Sequence, residues 1–152
     1  MEAEMERAGI PVSRAPGILK SKSRDYYWYS PVLRTALKPA LAECVVTPRS
    51  EKEVVEVIRA CVRLRLPITS RGAGTGNYGQ AVPLNGGVVL DLAGLTGFEE
   101  VSPGVVRAWA GQKMGEIETH MRKKGYELRF FPSTVAGASI GGFVAGGSTG
   151  VG

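Results

Sequence analysis

The sequence has few of the residues that build disulfides and metal centres: two cysteines and one histidine among 152 residues. Cys44 and Cys61 form no Cys-x-x-Cys pair, and each lies in an apolar segment, so we expect buried, reduced thiols. His120 cannot build a metal site by itself. The sequence therefore predicts no bound metal.

Signals for secretion, membrane insertion and nucleic-acid binding are also lacking. The N-terminus, MEAEMERAGI, has neither the apolar core nor the basic start of a signal peptide. The least polar long stretch, residues 135–152, is rich in glycine and would make a poor membrane span. The net charge of +5 is not concentrated in a basic stripe with interleaved aromatics, which argues against nucleic acid. We expect a cytoplasmic protein.

Glycine, in contrast, is abundant: its 21 residues are about twice the usual share. The excess lies in two stretches. RGAGTGNYGQAV, residues 71–82, is here named the glycine loop, and PSTVAGASIGGFVAGG, residues 132–147, the second glycine segment. Any function of the glycines must be sought there.

The glycine loop follows a predicted β-α-β unit over residues 43–70. ECVVTP and LPITS are short strands, and Ser50 with Glu53 forms a capping box ahead of an amphipathic helix that Pro67 cannot continue. The two strands should form a parallel pair. The loop then lies at the carboxyl end of a strand, where open α/β sheets bind ligands.

Further elements follow the loop. GGVVLDL predicts a buried strand, and FEEV with VVRAWA predicts a hairpin around Pro103 and Gly104. A helix should begin near Lys113 with a buried stripe of Met114, Ile117 and Met121. These elements separate the two glycine-rich stretches by about 50 residues of ordered chain.

The glycine loop has the G-x-G-x-x-G spacing of phosphate-binding loops, in Gly74, Gly76 and Gly79. A Rossmann helix cannot follow, because the next residues, NYGQAVPLNGG, contain further glycines and a proline. There is no lysine between Arg71 and Lys113, which argues against a kinase lid, and no Gly-Lys-Ser/Thr of a Walker loop. An anion nest of backbone N–H groups remains, beside Arg71 and Thr75; a flexible linker is the alternative.

The second glycine segment supports a ligand site. Ser139 can cap a short turn, and the small residues Gly141, Gly142, Ala145 and Gly146 would let a flat ring or a backbone come close. Two such surfaces suggest one extended ligand. The alternative is close packing of the chain on itself.

The order of these motifs resembles a known family. A strand, R-G-x-G-T-G, A-V-P-L-x-G-G-V-V-L-D-L, a hairpin, a G-x-x-x-G-E helix and P-S-T…A-S-I-G-G are similar to the FAD-binding (PCMH-type) domain of the vanillyl-alcohol oxidase superfamily. Within that superfamily, the chain most resembles the group of D-lactate dehydrogenases and FAD-containing glycolate oxidases. The resemblance implies an α+β fold of two α/β lobes, with a small β-α-β-β sheet in the first lobe and a truncated second lobe.

The sequence also suggests domain limits. Four prolines and an aromatic cluster, DYYWYSP, indicate that residues 1–39 are an N-terminal extension that packs on the domain or on a partner. Residues 40–152 would be the FAD-binding domain, with a first lobe at about 40–93 and an incomplete second lobe at about 94–152.

The resemblance also implies the residues that bind FAD. The pyrophosphate would be held mostly by backbone N–H groups, and a second turn and a glycine pair would complete the site. The implied residues are Arg71, Gly72, Ala73, Gly74, Thr75, Gly76, Asn77, Gln80, Ala81, Pro132, Ser133, Thr134, Ser139, Gly141 and Gly142. Phe143, Gly146 and Gly147 depart from the Asn, Thr and Asn of many members. No histidine lies in the loop, so the FAD should be non-covalent.

The implied activity is that of an FAD-dependent oxidoreductase that oxidises a 2-hydroxy acid, such as D-lactate or glycolate, by hydride transfer to flavin N5. The catalytic residues are expected beyond Gly152, so the chain alone should be inactive and could associate with itself or with a redox partner subunit. A non-catalytic nucleotide-binding or assembly subunit and a same-fold enolpyruvyl reductase are the alternatives.

Overall fold

A four-stranded mixed sheet forms the centre of the computed structural model, which describes residues 1–150, the side chain of Glu2 excepted. The strands are β1 (Val12–Ser13), β2 (Cys44–Val46), β3 (Ile68–Arg71) and β4 (Val88–Asp91). Their order is β1-β2-β4-β3. β4 is parallel to β2 and β3, while β1 pairs antiparallel with β2. The end of the predicted second lobe, Val151 and Gly152, lies outside the described residues.

The strands in ECVVTP and LPITS run parallel within one sheet, as the β-α-β unit predicts. Their expected direct pairing is wrong, because β4 lies between β2 and β3. All four residues of β4 are buried, whereas three of the four residues of β3 are not fully buried. A strand that is apolar on both faces gains most from a central position, so the GGVVLDL segment occupies it.

A single long helix, α4 (Glu51–Leu64), covers one face of the sheet. The Ser50 half of the predicted capping box is present, since Ser50 Oγ accepts from Glu53 N at 3.2 Å. The Glu53 carboxylate accepts from Arg49 N at 2.8 Å, one residue before the N-cap, and not from Ser50 N. Val57, Ala60 and Cys61 of the helix are buried against the sheet. The helix ends before Pro67, as its lack of an N–H requires.

Residues 1–39 contribute directly to this layer. They form α1 (Glu2–Arg7), β1, α2 (Pro16–Lys22), a 3₁₀ turn at Tyr26–Tyr29 and α3 (Pro31–Leu37). Met5 and Ile10 lie in the same buried cluster as Val46 and Val57. The sheet therefore has one strand more than the sequence predicts, supplied by the segment expected to be an extension, while the domain limits themselves stay a prediction.

After the sheet, the predicted hairpin and helix are confirmed. β5 (Phe98–Ser102) and β6 (Val105–Ala108) pair antiparallel, and Gly104 between them has a φ of +73°, which glycine adopts without strain. α5 (Met114–Arg122) buries Met114, Ile117 and Met121 as expected. A short helix, α6 (Ile140–Ala145), lies within the second glycine segment.

The architecture as a whole mixes helices with one mixed and one antiparallel sheet, so the predicted α+β class is confirmed. Both cysteines are buried and neither forms a disulfide. Over the described residues, none of the helices is long and apolar enough to cross a membrane.

Candidate cofactor-binding site

The glycine loop begins at the carboxyl end of β3, as the sequence predicts. Arg71, the last residue of β3, lies opposite Asp91, the last residue of β4. This edge of the sheet therefore brings the loop, a buried cation and a buried carboxylate together.

Four successive N–H groups of the loop have no acceptor within the part of the chain that the structure describes. They belong to Gly74, Thr75, Gly76 and Asn77. All four residues are half-buried or exposed, so a ligand can reach them. Gly74 has a φ of +71°, a left-handed conformation that turns the backbone sharply. Such a run of N–H groups is suited to binding an anion, as the nest hypothesis requires.

Two carbonyl groups of the loop face the protein instead. Gly76 O accepts from Tyr26 N at 2.7 Å, and Ala73 O accepts from Arg71 Nη2 at 3.4 Å. In a trans peptide the C=O and the following N–H point in opposite directions. The N–H group of Gly74 therefore points away from the Arg71 guanidinium, and that of Asn77 points away from Tyr26.

The structure puts the Arg71 guanidinium beneath the loop. It donates to Arg24 O and Ala73 O, and a Cβ added at Gly74 would overlap it. Burial lowers the pKa of Arg71, while the carboxylates of Asp91 and Asp25 act in the opposite direction. We interpret this side chain as a support for the loop, and its contact with the cofactor stays a prediction.

The second glycine segment lies directly against the loop. Ser139 Oγ accepts from Ala73 N at 3.2 Å, and a Cβ added at Gly72 would overlap that hydroxyl. Ser139 stands at the N-cap position of α6, but its side chain makes no cap hydrogen bond; its hydroxyl accepts from Ala73 N instead. The sequence could not indicate this contact, since 66 residues separate the partners.

The two adjacent glycines of the second glycine segment, Gly141 and Gly142, have different surroundings. Gly141 N donates to Ala110 O at 2.9 Å, and a Cβ there would lie 2.6 Å from Ala110 Cβ. Gly142 is exposed, and a Cβ added there would lie 3.9 Å from Gly72 Cα. Close packing of the chain on itself thus accounts for Gly141, while Gly142 borders the glycine loop.

The remaining predicted residues border the same region. Pro132, Ser133 and Thr134 begin a turn in which Thr134 O accepts from Gly137 N and Ala138 N, both at 2.9 Å. A Cβ added at Gly137 would lie 4.0 Å from Thr75 Cγ2, so this turn approaches the loop. In the loop itself, Gln80 Oε1 accepts from Tyr78 N at 3.2 Å, and Ala81 is half-buried.

Sequence reasoning missed the support that the N-terminal segment gives to the loop. Arg24, Asp25 and Tyr26 contact it through two hydrogen bonds and a buried carboxylate. The aromatic cluster was the sequence signal for this support, since it predicts packing on the domain. Tyr27 of the cluster is buried. Trp28 and Tyr29 stack with 3.9 Å between ring centroids and stay largely exposed.

His120, the single histidine, lies on the exposed side of α5. Its ring meets Phe98 of the hairpin edge-on, with 5.3 Å between the centroids. Nothing in this geometry assigns it a chemical role.

These features form a concave edge of the sheet between two glycine-rich segments, and its backbone N–H groups are suited to an anionic ligand. A family model described as an FAD binding domain matches residues 42–152. The chain therefore belongs to the FAD-binding domain family, which confirms the resemblance and FAD as the cofactor.

Curated relatives are oxidoreductases of much greater length. The chain is 34% identical over 109 residues to the glycolate oxidase subunit GlcD of Escherichia coli (strain K12), covering 70% of this chain and 22% of that protein. It is also 34% identical over 110 residues to the D-2-hydroxyglutarate dehydrogenase of the same organism, covering 68% of this chain and 11% of that protein. The chain thus spans about a fifth or less of these relatives.

The fold is shared with solved structures of other proteins. An alkyldihydroxyacetonephosphate synthase superposes with a TM-score of 0.78 at 18% identity, over 91% of this chain and 29% of that one. An identity this low shows the fold alone, which is the PCMH-type fold that the sequence predicts.

Proposed function

We propose that this chain is the cofactor-binding part of an FAD-dependent oxidoreductase that oxidises a small 2-hydroxy acid. The observation that carries the proposal is the run of four N–H groups from Gly74 to Asn77 that lack an acceptor among the described residues. It lies beside Gly142 and the turn at Thr134. FAD has a pyrophosphate that such a nest can bind, and FMN has a single phosphate.

The substrate class is supported by the relatives. The two proteins named above are a glycolate oxidase subunit and a D-2-hydroxyglutarate dehydrogenase, and both names refer to 2-hydroxy acids. When bound, the flavin supplies a hydride acceptor. The chain's own residues bind and orient the nucleotide: the loop N–H groups neutralise phosphate charge, while Ser139 holds Ala73 N and so keeps the two glycine-rich segments together.

Non-covalent attachment is part of the proposal, because the glycine loop has no histidine. The cytoplasmic location remains a prediction. We also infer that the 152-residue chain by itself lacks dehydrogenase activity, because it spans only 22% of the length of the glycolate oxidase subunit to which it is similar.

Two measurements test the proposed function. The longest natural protein that carries this chain should be yellow and should release FAD, and not FMN, on denaturation. It should reduce a dye acceptor with a 2-hydroxy acid as the donor. Recovery of FMN alone, or of no flavin from folded protein, contradicts the cofactor site. Release of FAD without oxidation of any 2-hydroxy acid contradicts the substrate class only.

The chain itself can be titrated with FAD and with FMN while the amide signals of Gly74, Thr75, Gly76 and Asn77 are followed by NMR. We expect FAD to shift these signals and FMN at the same concentration to shift them far less. Equal shifts with both flavins would show that the loop does not recognise the pyrophosphate.

A further inference from the structure

A short segment that overlaps the start of the aromatic cluster, residues 22–26, lies against the glycine loop and is here named the clamp segment. It makes three contacts with the sheet edge and the loop. Lys22 Nζ lies 2.6 Å from Asp91 Oδ2, Arg24 O accepts from the Arg71 guanidinium, and Tyr26 N donates to Gly76 O at 2.7 Å. The loop is therefore fixed by a segment about 50 residues away in sequence.

Asp25 is the buried charge of the clamp segment. It is 2% exposed, and its Oδ1 accepts from Tyr27 N at 2.8 Å. Its Oδ2 has no hydrogen-bond partner among the described residues, and a Cβ added at Gly76 would lie 3.6 Å from it. The carboxylate is thus directed at the underside of the loop.

The charges behind the loop balance in pairs: Lys22 and Arg71 are cations, and Asp25 and Asp91 are carboxylates. Arg71 is 8% exposed, and Lys22 already pairs with Asp91. A buried guanidinium stays charged and needs a nearby negative charge to remain buried. Asp91 is the larger source of that charge for Arg71, and Asp25 is the second. Because Lys22 also draws on Asp91, the Asp25 carboxylate balances the remaining positive charge. Arg71 in turn donates to Ala73 O.

We propose that Asp25 is a positioning residue for the FAD-binding loop, acting through Arg71 and the adjacent Tyr26 N–H to turn the loop's N–H groups outward. It does not touch the cofactor. This inference rests on the proposed function for its consequence in FAD affinity, but the effect on the loop itself is independent of any ligand.

The sign of the effect on affinity separates positioning from simple electrostatics. A carboxylate near a phosphate site repels the phosphate, so its removal alone would tighten FAD binding. Loss of a positioning group weakens FAD binding, because the N–H groups of the glycine loop are no longer held in one arrangement around the phosphate. Asp25→Asn keeps the size of the side chain and an acceptor for Tyr27 N while it removes the charge.

The experiment compares Asp25→Asn, Asp25→Glu and the unchanged 152-residue chain without ligand. Amide hydrogen exchange is followed at Tyr26 and Ala73, whose N–H groups are bonded to or within the loop, and at Val89 of the buried β4. We expect Asp25→Asn to speed amide exchange at Tyr26 and Ala73 by about tenfold or more. This corresponds to a loss of roughly 1.4 kcal/mol in the free energy that protects these N–H groups. The exchange rate of Val89 should stay unchanged. Asp25→Glu, which keeps the negative charge, should retain part of the protection from amide exchange.

Glu4→Gln is the matched control, since Glu4 is an N-terminal carboxylate that pairs with Arg63 at 2.6 Å, away from the loop. Glu4→Gln should leave the amide exchange rates of Tyr26 and Ala73 unchanged. Unchanged exchange in Asp25→Asn, or equal acceleration at Val89, overturns the proposal. If Asp25→Asn does not fold, Arg71→Lys decides: faster exchange at Ala73 with Val89 unchanged supports the proposal, and a uniform change contradicts it.

FAD titration of the same variants completes the test. Weaker binding by Asp25→Asn supports positioning, and equal or tighter binding overturns it. If the unchanged chain shows no interaction with FAD, the cofactor role of the loop fails in this chain, whereas the exchange data still decide whether Asp25 positions the loop.

Discussion

The two glycine-rich stretches have similar compositions but use glycine for different physical reasons. In the glycine loop, Gly74 is needed for its backbone conformation, a φ of +71° that residues with a side chain rarely adopt. In the second glycine segment, Gly141 has an ordinary φ and is needed because its Cβ would meet Ala110. Gly74 thus depends on conformational freedom, and Gly141 depends on the lack of a side chain.

The comparison predicts that the largest loss of stability comes from the second segment. Gly141→Val puts side-chain atoms against the Cβ and backbone of Ala110, and this overpacking should lower the free energy of unfolding by roughly 1–3 kcal/mol. Denaturant unfolding of the ligand-free chain measures it. Gly17→Ala is the control, because a Cβ there meets nothing within 4 Å. Equal stability of both variants would contradict the packing role of Gly141.

Gly74→Ala should act mainly on the loop. A left-handed conformation costs a non-glycine residue about 1–2 kcal/mol, and the added methyl group also displaces the Arg71 guanidinium. We expect a weaker FAD interaction together with faster exchange at Ala73, and a smaller loss of global stability than in Gly141→Val. An FAD affinity equal to that of the unchanged chain would show that the loop conformation does not matter for binding.

Ser139→Ala tests the contact between the two stretches. It removes the acceptor for Ala73 N and leaves that N–H without a protein partner, which should cost about 1 kcal/mol of stability. Ser139→Thr, which keeps a hydroxyl, serves as the comparison. If both variants unfold at the same denaturant concentration as the parent, the two stretches are held together by other contacts.

Gly76→Ala should have the smallest effect and so sharpens the contrast within the loop. Gly76 has no positive φ, and a Cβ there meets first the Gln80 amide oxygen at 2.7 Å, the end of a flexible side chain that can move. We expect a stability change within about 0.5 kcal/mol. A loss as large as that of Gly74→Ala would show that the crowding beneath the loop, and not backbone conformation, limits both positions.

Local sequence signals predicted the elements whose cause is local. The N-cap at Ser50, the turn at Gly104 and the apolar stripe of α5 each involve residues within about one or two helical turns, and each appears where the sequence indicates. The glycine loop was found for the same reason, since its spacing and its position after a strand are visible in the sequence.

Contacts between distant segments were not predictable in this way. The insertion of β4 between β2 and β3 depends on which strand gains most from burial on both faces, which is a property of the assembled sheet. The pairing of β1 with β2 is likewise a choice among possible partners. Arg71 illustrates the same limit, because its residue type suits either a phosphate ligand or a buried support.

The sequence by itself therefore determined the α+β class, the family and the two glycine-rich stretches, since periodicity, caps and motif spacing are properties of short segments. Only the tertiary structure decided which N–H groups are left to bind a ligand, which glycine is packed against Ala110, and that Asp25 and Tyr26 lie behind the loop. These outcomes depend on which distant groups meet and are desolvated together, and such contacts follow from the packing of the whole chain and not from any local pattern.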